Sequence, residues 1–146
     1  MRVLVASDHG GFELKNSVVD YLKDQGYDVE DLGPQTLDPG DDYPFFAQKL
    51  TAQLLDEPKE SKGILLCRGG QGMAMAANRK VGIRAAVCWN DAEARMTRVD
   101  NDANVLSIPT DHITQKQAMS VVTTFLTTKF SGGVRHIRRI HELDEL

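Results

Sequence analysis

Cysteine and tryptophan are scarce in this chain: two thiols, Cys67 and Cys88, and one indole. Each cysteine closes an apolar run, so the pair reads as free thiols of a reducing compartment rather than a disulfide framework. No apolar stretch approaches the ~20 residues needed to cross a bilayer. Positive charge is not in excess either. With 17 basic and 21 acidic residues the net charge is −4, which removes any general attraction to nucleic acid or an anionic membrane. Any bound anion must be held by a local cluster. No long linker or low-complexity tract divides the 146 residues, so one domain spanning 1–146 is expected. The four histidines and two cysteines show no close ligand spacing, and no metal is expected. Met1 runs directly into Val3-Leu4-Val5-Ala6 with no leader-like segment, so the expectation is a cytoplasmic protein.

What is present alternates regularly. Short apolar runs at Arg2–Ser7, Gly63–Leu66, Ile83–Cys88 and Asn104–Ile108 read as strands, and Tyr27–Leu32 resumes as a strand after the first helix. Helical spacing marks Gly11–Gln25, Pro44–Leu55, the Ala-rich stretch after Cys67, Asp91–Asp100, Thr114–Phe130 and the tail Val134–Leu143. The segment 33–42 carries Pro34, Pro39 and Gly40 and reads as a loop. Strands apolar enough to be covered on both faces, each followed by a helix, predict a three-layer α/β/α sandwich around a five-stranded parallel sheet, Rossmann-like, with a C-terminal helix.

Ligands of such sheets gather beyond the carboxyl ends of the strands. Three turns there are chemically loaded: Ser7-Asp8-His9-Gly10-Gly11, Cys67-Arg68-Gly69-Gly70-Gln71-Gly72, and Trp89-Asn90-Asp91. Glycines let the main chain approach a ligand, and the helix that follows aims free N–H groups at it. The same field, with a neighbouring guanidinium, is expected to lower the Cys67 thiol and make it a base or nucleophile. Each residue also has a plainer reading. Cys67 alone would be a small core residue, Asp8 a helix cap, His9 a turn residue, Asn101 part of a turn, and Arg135, Arg138 and Arg139 a solvated helix face.

Together, Asp8-His9-Gly10-Gly11-Phe12-x-Leu14-Lys15, Asp42-Tyr43-Pro44, the Cys67 loop ending in Ala76-Ala77-Asn78, Gly82-Ile83-Arg84-Ala85, Asn101-Asp102-Ala103-Asn104-Val105 and Arg135-His136-x-x-Arg139 resemble ribose-5-phosphate isomerase type B. That family includes the galactose-6-phosphate isomerase subunits. The resemblance runs in order from Val3 to Ile140. It implies a cofactor-free aldose–ketose isomerase of a small sugar phosphate, assembled as a homodimer or dimer of dimers with active sites at the interface. It also implies roles: Cys67 as the base between C2 and C1, the Gly69, Gly70 and Gly72 region as the enediolate cradle, and Asp8 and His9 on the sugar hydroxyls and ring oxygen. Tyr43 and Asn101 line the substrate, and Arg135 and Arg139 clamp its phosphate.

Three positions depart from the family pattern. Gly69 stands where a hydroxyl residue is expected, Asp100 where a ring-opening His is common, and Asp111 where an Arg often reaches the phosphate. Asp100 can still accept a ring hydroxyl proton, and Arg68 adds a cation nearby. These changes imply the same reaction on a related sugar phosphate of four to six carbons, such as an open-chain tetrose phosphate. The alternatives are a non-catalytic sugar-phosphate binder or one subunit of a heteromeric isomerase. A nucleotide-binding domain is disfavoured, since neither Gly-x-Gly-x-x-Gly nor a Walker-type Gly-Lys-Ser or Gly-Lys-Thr is present.

Overall fold

The computed structural model describes residues 1–59 and 61–146. Five strands, β1 (Arg2–Ser7), β2 (Asp28–Asp31), β3 (Ser61–Cys67), β4 (Ala85–Val87) and β5 (Val105–Pro109), form one parallel sheet in the order β2-β1-β3-β5-β4. The helices are α1 (Phe12–Asp24), α2 (Tyr43–Asp56), α3 (Gln71–Ala77), α4 (Asp91–Asn101), α5 (Gln115–Thr127) and α6 (Val134–Asp144). This is the expected α/β sandwich with a C-terminal helix.

The period-2 alternation of the strands sorts their side chains into two cores. Val3, Val5, Ile64, Leu66, Leu106 and Ile108 pack with Val18, Leu22, Val122 and Phe125, and so against α1 and α5. Leu4, Ala6, Leu65 and Cys67 face the other way, toward Leu50, Leu54, Met73 and Ala77 of α2 and α3. Each fully buried leucine contributes ~1.5–3 kcal/mol, so a one-residue slip of any central strand would forfeit several such contributions at once.

The helices after the neighbouring strands β1 and β3 therefore leave toward opposite faces, and a crevice opens between their carboxyl ends. That is the topological switch point of the sheet. The chain closes tightly there: a Cβ on Gly11 would lie 2.4 Å from the Leu66 carbonyl oxygen, so only glycine lets the turn after β1 rest on β3.

Element ends differ from expectation where side chains intervene. β4 begins at Ala85 because the Arg84 amide donates to Asn104 Oδ1 (2.8 Å) instead of to a strand. Asn78 fixes the same edge, exchanging two hydrogen bonds with the Ala85 main chain at 2.9 and 2.7 Å. α5 starts after Thr114, which with Gln117 forms a capping box.

Candidate active site at the switch point

The turn after β1 is one turn of 3-10 helix, His9–Gly11, capped by Asp8, whose Oδ1 accepts from the Gly11 amide at 3.1 Å. Asp8 is buried, and loss of solvation raises its carboxyl above the ordinary value despite that hydrogen bond. His9 is held by a residue the sequence reading missed. Asp41 Oδ1 accepts from the His9 main-chain amide (3.0 Å) and lies 2.7 Å from its ring Nδ1. This hydrogen bond raises the imidazole above its usual value, with the Asp8 charge adding to the shift.

After β3 the chain turns through Gly70, whose φ of 71° is left-handed. The turn folds the loop amides back over the cysteine, and the Gly70 N–H donates to Cys67 Sγ at 3.2 Å. The Gly69 and Met73 amides favour the thiolate in the same way. Ser107 anchors the loop from β5, its hydroxyl donating to the Gly70 carbonyl at 2.6 Å. Tyr43, at the start of α2, lays its ring against Gly72, where a Cβ would meet it at 2.8 Å. A Cβ at Gly69 would meet nothing within 4 Å, so the position of the missing hydroxyl is open space.

The expected lowering of the Cys67 thiol is corrected by the structure. Burial pushes it up, and the amide donors oppose that shift without overcoming it, while the Asp8 charge adds to the rise. The cation expected beside it is engaged elsewhere. Arg68 is exposed and donates Nε to Asp111 Oδ2 at 2.9 Å, its stem lying over Gly10. Arg68, Asp111, His9, Gly10, Glu13 and Leu37 line an open recess of about 290 Å³.

Within one chain, Asp8, His9, Tyr43, Arg68, Gly69, Gly70 and Gly72 lie with Cys67 at the carboxyl end of the sheet, but Asp100, Asn101, Arg135 and Arg139 do not. Asp100 and Asn101 end α4, just before β5 begins, whereas Cys67 pairs with Pro109 where β5 ends. A five-residue strand separates the two ends by roughly 15 Å. Asp100 lies 3.7 Å from His136 of α6, and Arg135 and Arg139 are exposed on that helix, with no carboxylate partner among the described residues.

A larger recess, about 550 Å³, sits at that amino end among Arg79, Lys80, Arg84, Asn101 and Asp144. The thiol and its amide donors lie at the other end of the sheet. In the third loaded turn Asn90 caps α4 through the Glu93 amide (2.9 Å), and Asp91 accepts from Ser120 (2.7 Å). Among the described residues, no three His, Cys, Asp or Glu side chains could hold a metal, and no helix is long and apolar enough to cross a membrane.

A parallel α/β sheet with a thiol, two carboxylates and an imidazole at its switch point defines a small-molecule site of the open-sheet enzymes. The chain belongs to the ribose/galactose isomerase family, whose profile matches residues 3–143. It is 41% identical over 141 residues to a probable ribose-5-phosphate isomerase B of Mycoplasma pneumoniae, covering 97% of this chain and 91% of that protein. A ribose 5-phosphate isomerase structure from Thermotoga maritima superposes with a TM-score of 0.94 at 45% identity, covering 99% of this chain and 98% of that one. Ribose-5-phosphate isomerase B from Mycoplasma genitalium, solved with bound ribulose-5-phosphate, gives 0.95 at 36% identity, over 99% and 94% of the two chains.

Proposed function

We propose that this protein interconverts a phosphorylated aldose and its ketose through an enediolate, with Cys67 moving the proton between C2 and C1. The observation that carries this reading is the Gly70 N–H on Cys67 Sγ at 3.2 Å, inside a loop whose other amides converge on the same place. Removing a proton next to a carbonyl builds negative charge on two oxygens, and fixed main-chain donors stabilise that charge without reorganising. Asp8, whose carboxyl burial raises above its ordinary value, shuttles protons among the hydroxyls. His9 and Tyr43 hold the sugar.

The remaining residues come from a second copy of the chain. Asp100, Asn101, Arg135 and Arg139 lie at the opposite end of the sheet from Cys67, so a homodimer that packs one chain's amino-end face on its partner's crevice completes each site. Arg135 and Arg139, four residues apart on one helix face, then grip the phosphate and turn its binding energy into orientation of the reacting carbons. Two unpaired cysteines fit a reducing cytoplasm.

Ribose 5-phosphate and ribulose 5-phosphate are the first substrates to test, because the Mycoplasma genitalium relative was solved with the latter. The open space at Gly69 and a carboxylate at Asp100 favour a second reading, an open-chain tetrose phosphate that needs no ring opening. Assaying four- to six-carbon aldose and ketose phosphates with wild type and Cys67→Ala decides between them. The proposal predicts turnover of at least one pair and its loss in the variant. Turnover of none would leave a sugar-phosphate binder.

A further inference from the structure

Asp41 is the least explained residue of the crevice. It lies in the loop before α2, yet its side chain is nine-tenths buried. One oxygen, Oδ1, takes both the His9 amide and the His9 ring nitrogen Nδ1, at 3.0 and 2.7 Å. Among the described residues its second oxygen, Oδ2, is buried with no hydrogen-bond partner. A carboxylate buried at that cost is ordinarily retained for what it holds. What it holds is a ring that is partly exposed and lines the recess shared with Arg68, Glu13 and Asp111.

We propose that Asp41 is the positioning residue of the site, fixing His9 with Nδ1–H on the carboxylate and Nε2–H offered to an oxygen of the substrate. This deepens the isomerase reading and rests on it for the identity of that substrate.

The tautomer logic makes the assignment sharp. With Nδ1–H committed to Asp41, neutral imidazole leaves Nε2 as an acceptor, and only the imidazolium makes it a donor. A ring, carbonyl or phosphate oxygen of the substrate carries no proton and needs a donor, and it is to such an oxygen that His9 is assigned. The charged groups facing His9 are Asp41 and Asp8, which favour the cation, and Arg68, which disfavours it; Glu13 and Asp111 line the same recess. The balance lies with the cation, so His9 stays a donor to higher pH than a free histidine. A second consequence concerns orientation. Because the main-chain and ring nitrogens share one acceptor, that oxygen is held at the turn after β1, and the imidazole cannot swing away without breaking its Nδ1 bond.

The test uses Asp41→Asn, which keeps the shape and one acceptor oxygen but removes the charge, with His9→Gln as reference. His9 is assigned among the four histidines by its loss in His9→Gln, and its titration is followed by NMR, first alone and then with inorganic phosphate. In wild type the His9 midpoint lies above that of a free histidine, and in Asp41→Asn it falls. KM for the sugar phosphate, measured from pH 6 to 9, rises in Asp41→Asn at lower pH than in wild type, by about tenfold near pH 7.5, with kcat little changed. An unchanged His9 midpoint in Asp41→Asn overturns the proposal, as does an unchanged pH profile of KM. Should no isomerase activity be found, the NMR titration still reads the Asp41–His9 pairing, so the two proposals fail separately. If Asp41→Asn folds poorly, wild type decides alone: an ordinary His9 midpoint overturns the proposal.

Discussion

Cys67 and Gly70 are joined by an N–H···S hydrogen bond of 3.2 Å, so the amide that begins the glycine turn is aimed at sulfur before any substrate arrives. The bond offsets part of the burial that pushes the thiol up. It also fixes the loop amides where oxyanion charge develops in the proposed reaction.

Because the thiol is raised, the thiolate is a minority at neutral pH. With substrate saturating, kcat is therefore expected to climb from pH 6.5 through 9 as Cys67 ionises, and inactivation by iodoacetamide should climb in parallel. A kcat profile flat above pH 7 would assign the base to a group with a lower pKa.

Gly70 and Gly69 should respond oppositely to alanine. At Gly70 a side chain must adopt φ near 71° and pack 3.1 Å from the Pro109 nitrogen and the Val87 side chain. Gly70→Ala is expected to lose roughly 1–2 kcal/mol of stability and most of its turnover as the amide leaves the sulfur. Gly69→Ala, with nothing within 4 Å, should keep its melting temperature. Urea denaturation and initial rates separate the two.

Lys15 is among the largest fully buried side chains, and its Nζ donates to Asp31 Oδ2 at 2.6 Å. Asp31 Oδ1 in turn accepts from the Gly33 amide at 2.9 Å, so the lysine supports the end of β2 and the loop that carries Asp41 toward His9. Lys15→Met strands the carboxylate and should cost roughly 2–4 kcal/mol by chemical denaturation. A smaller loss would mean that water and the Gly33 amide suffice for the partly exposed Asp31.

Arg139→Ala should lower kcat/KM by about a hundredfold without a shift in melting temperature, since the side chain is exposed. If sites are shared between chains, mixing Arg139→Ala with Cys67→Ala restores activity, to about a quarter of wild type for random dimers. No restoration would place both residues in one chain's site.

The sheet was legible from sequence because buried parallel strands are nearly continuous apolar runs, as in Val3-Leu4-Val5-Ala6 and Ile64-Leu65-Leu66. Glycines marked the Cys67 loop for a similar reason: they report backbone demands that other residues cannot meet. The direction of the thiol shift was not legible. It depends on how deeply Cys67 sinks between α2 and α3, which is a tertiary quantity. Asp41 was hidden because an acidic residue in a Pro/Gly-containing loop reads as solvated, and its contact with His9 spans 32 positions. Asn78 and Asn104, conspicuous in the sequence, serve the main chain at the edge of β4.

The central claim, that Cys67 carries hydrogen between adjacent carbons of a sugar phosphate, is tested most directly by incubating ribose 5-phosphate with the enzyme in deuterium oxide and following C1 and C2 by NMR. Deuterium entering the ketose at C1 with wild type, and none with folded Cys67→Ala, is the predicted result. Exchange at an undiminished rate in Cys67→Ala would contradict it.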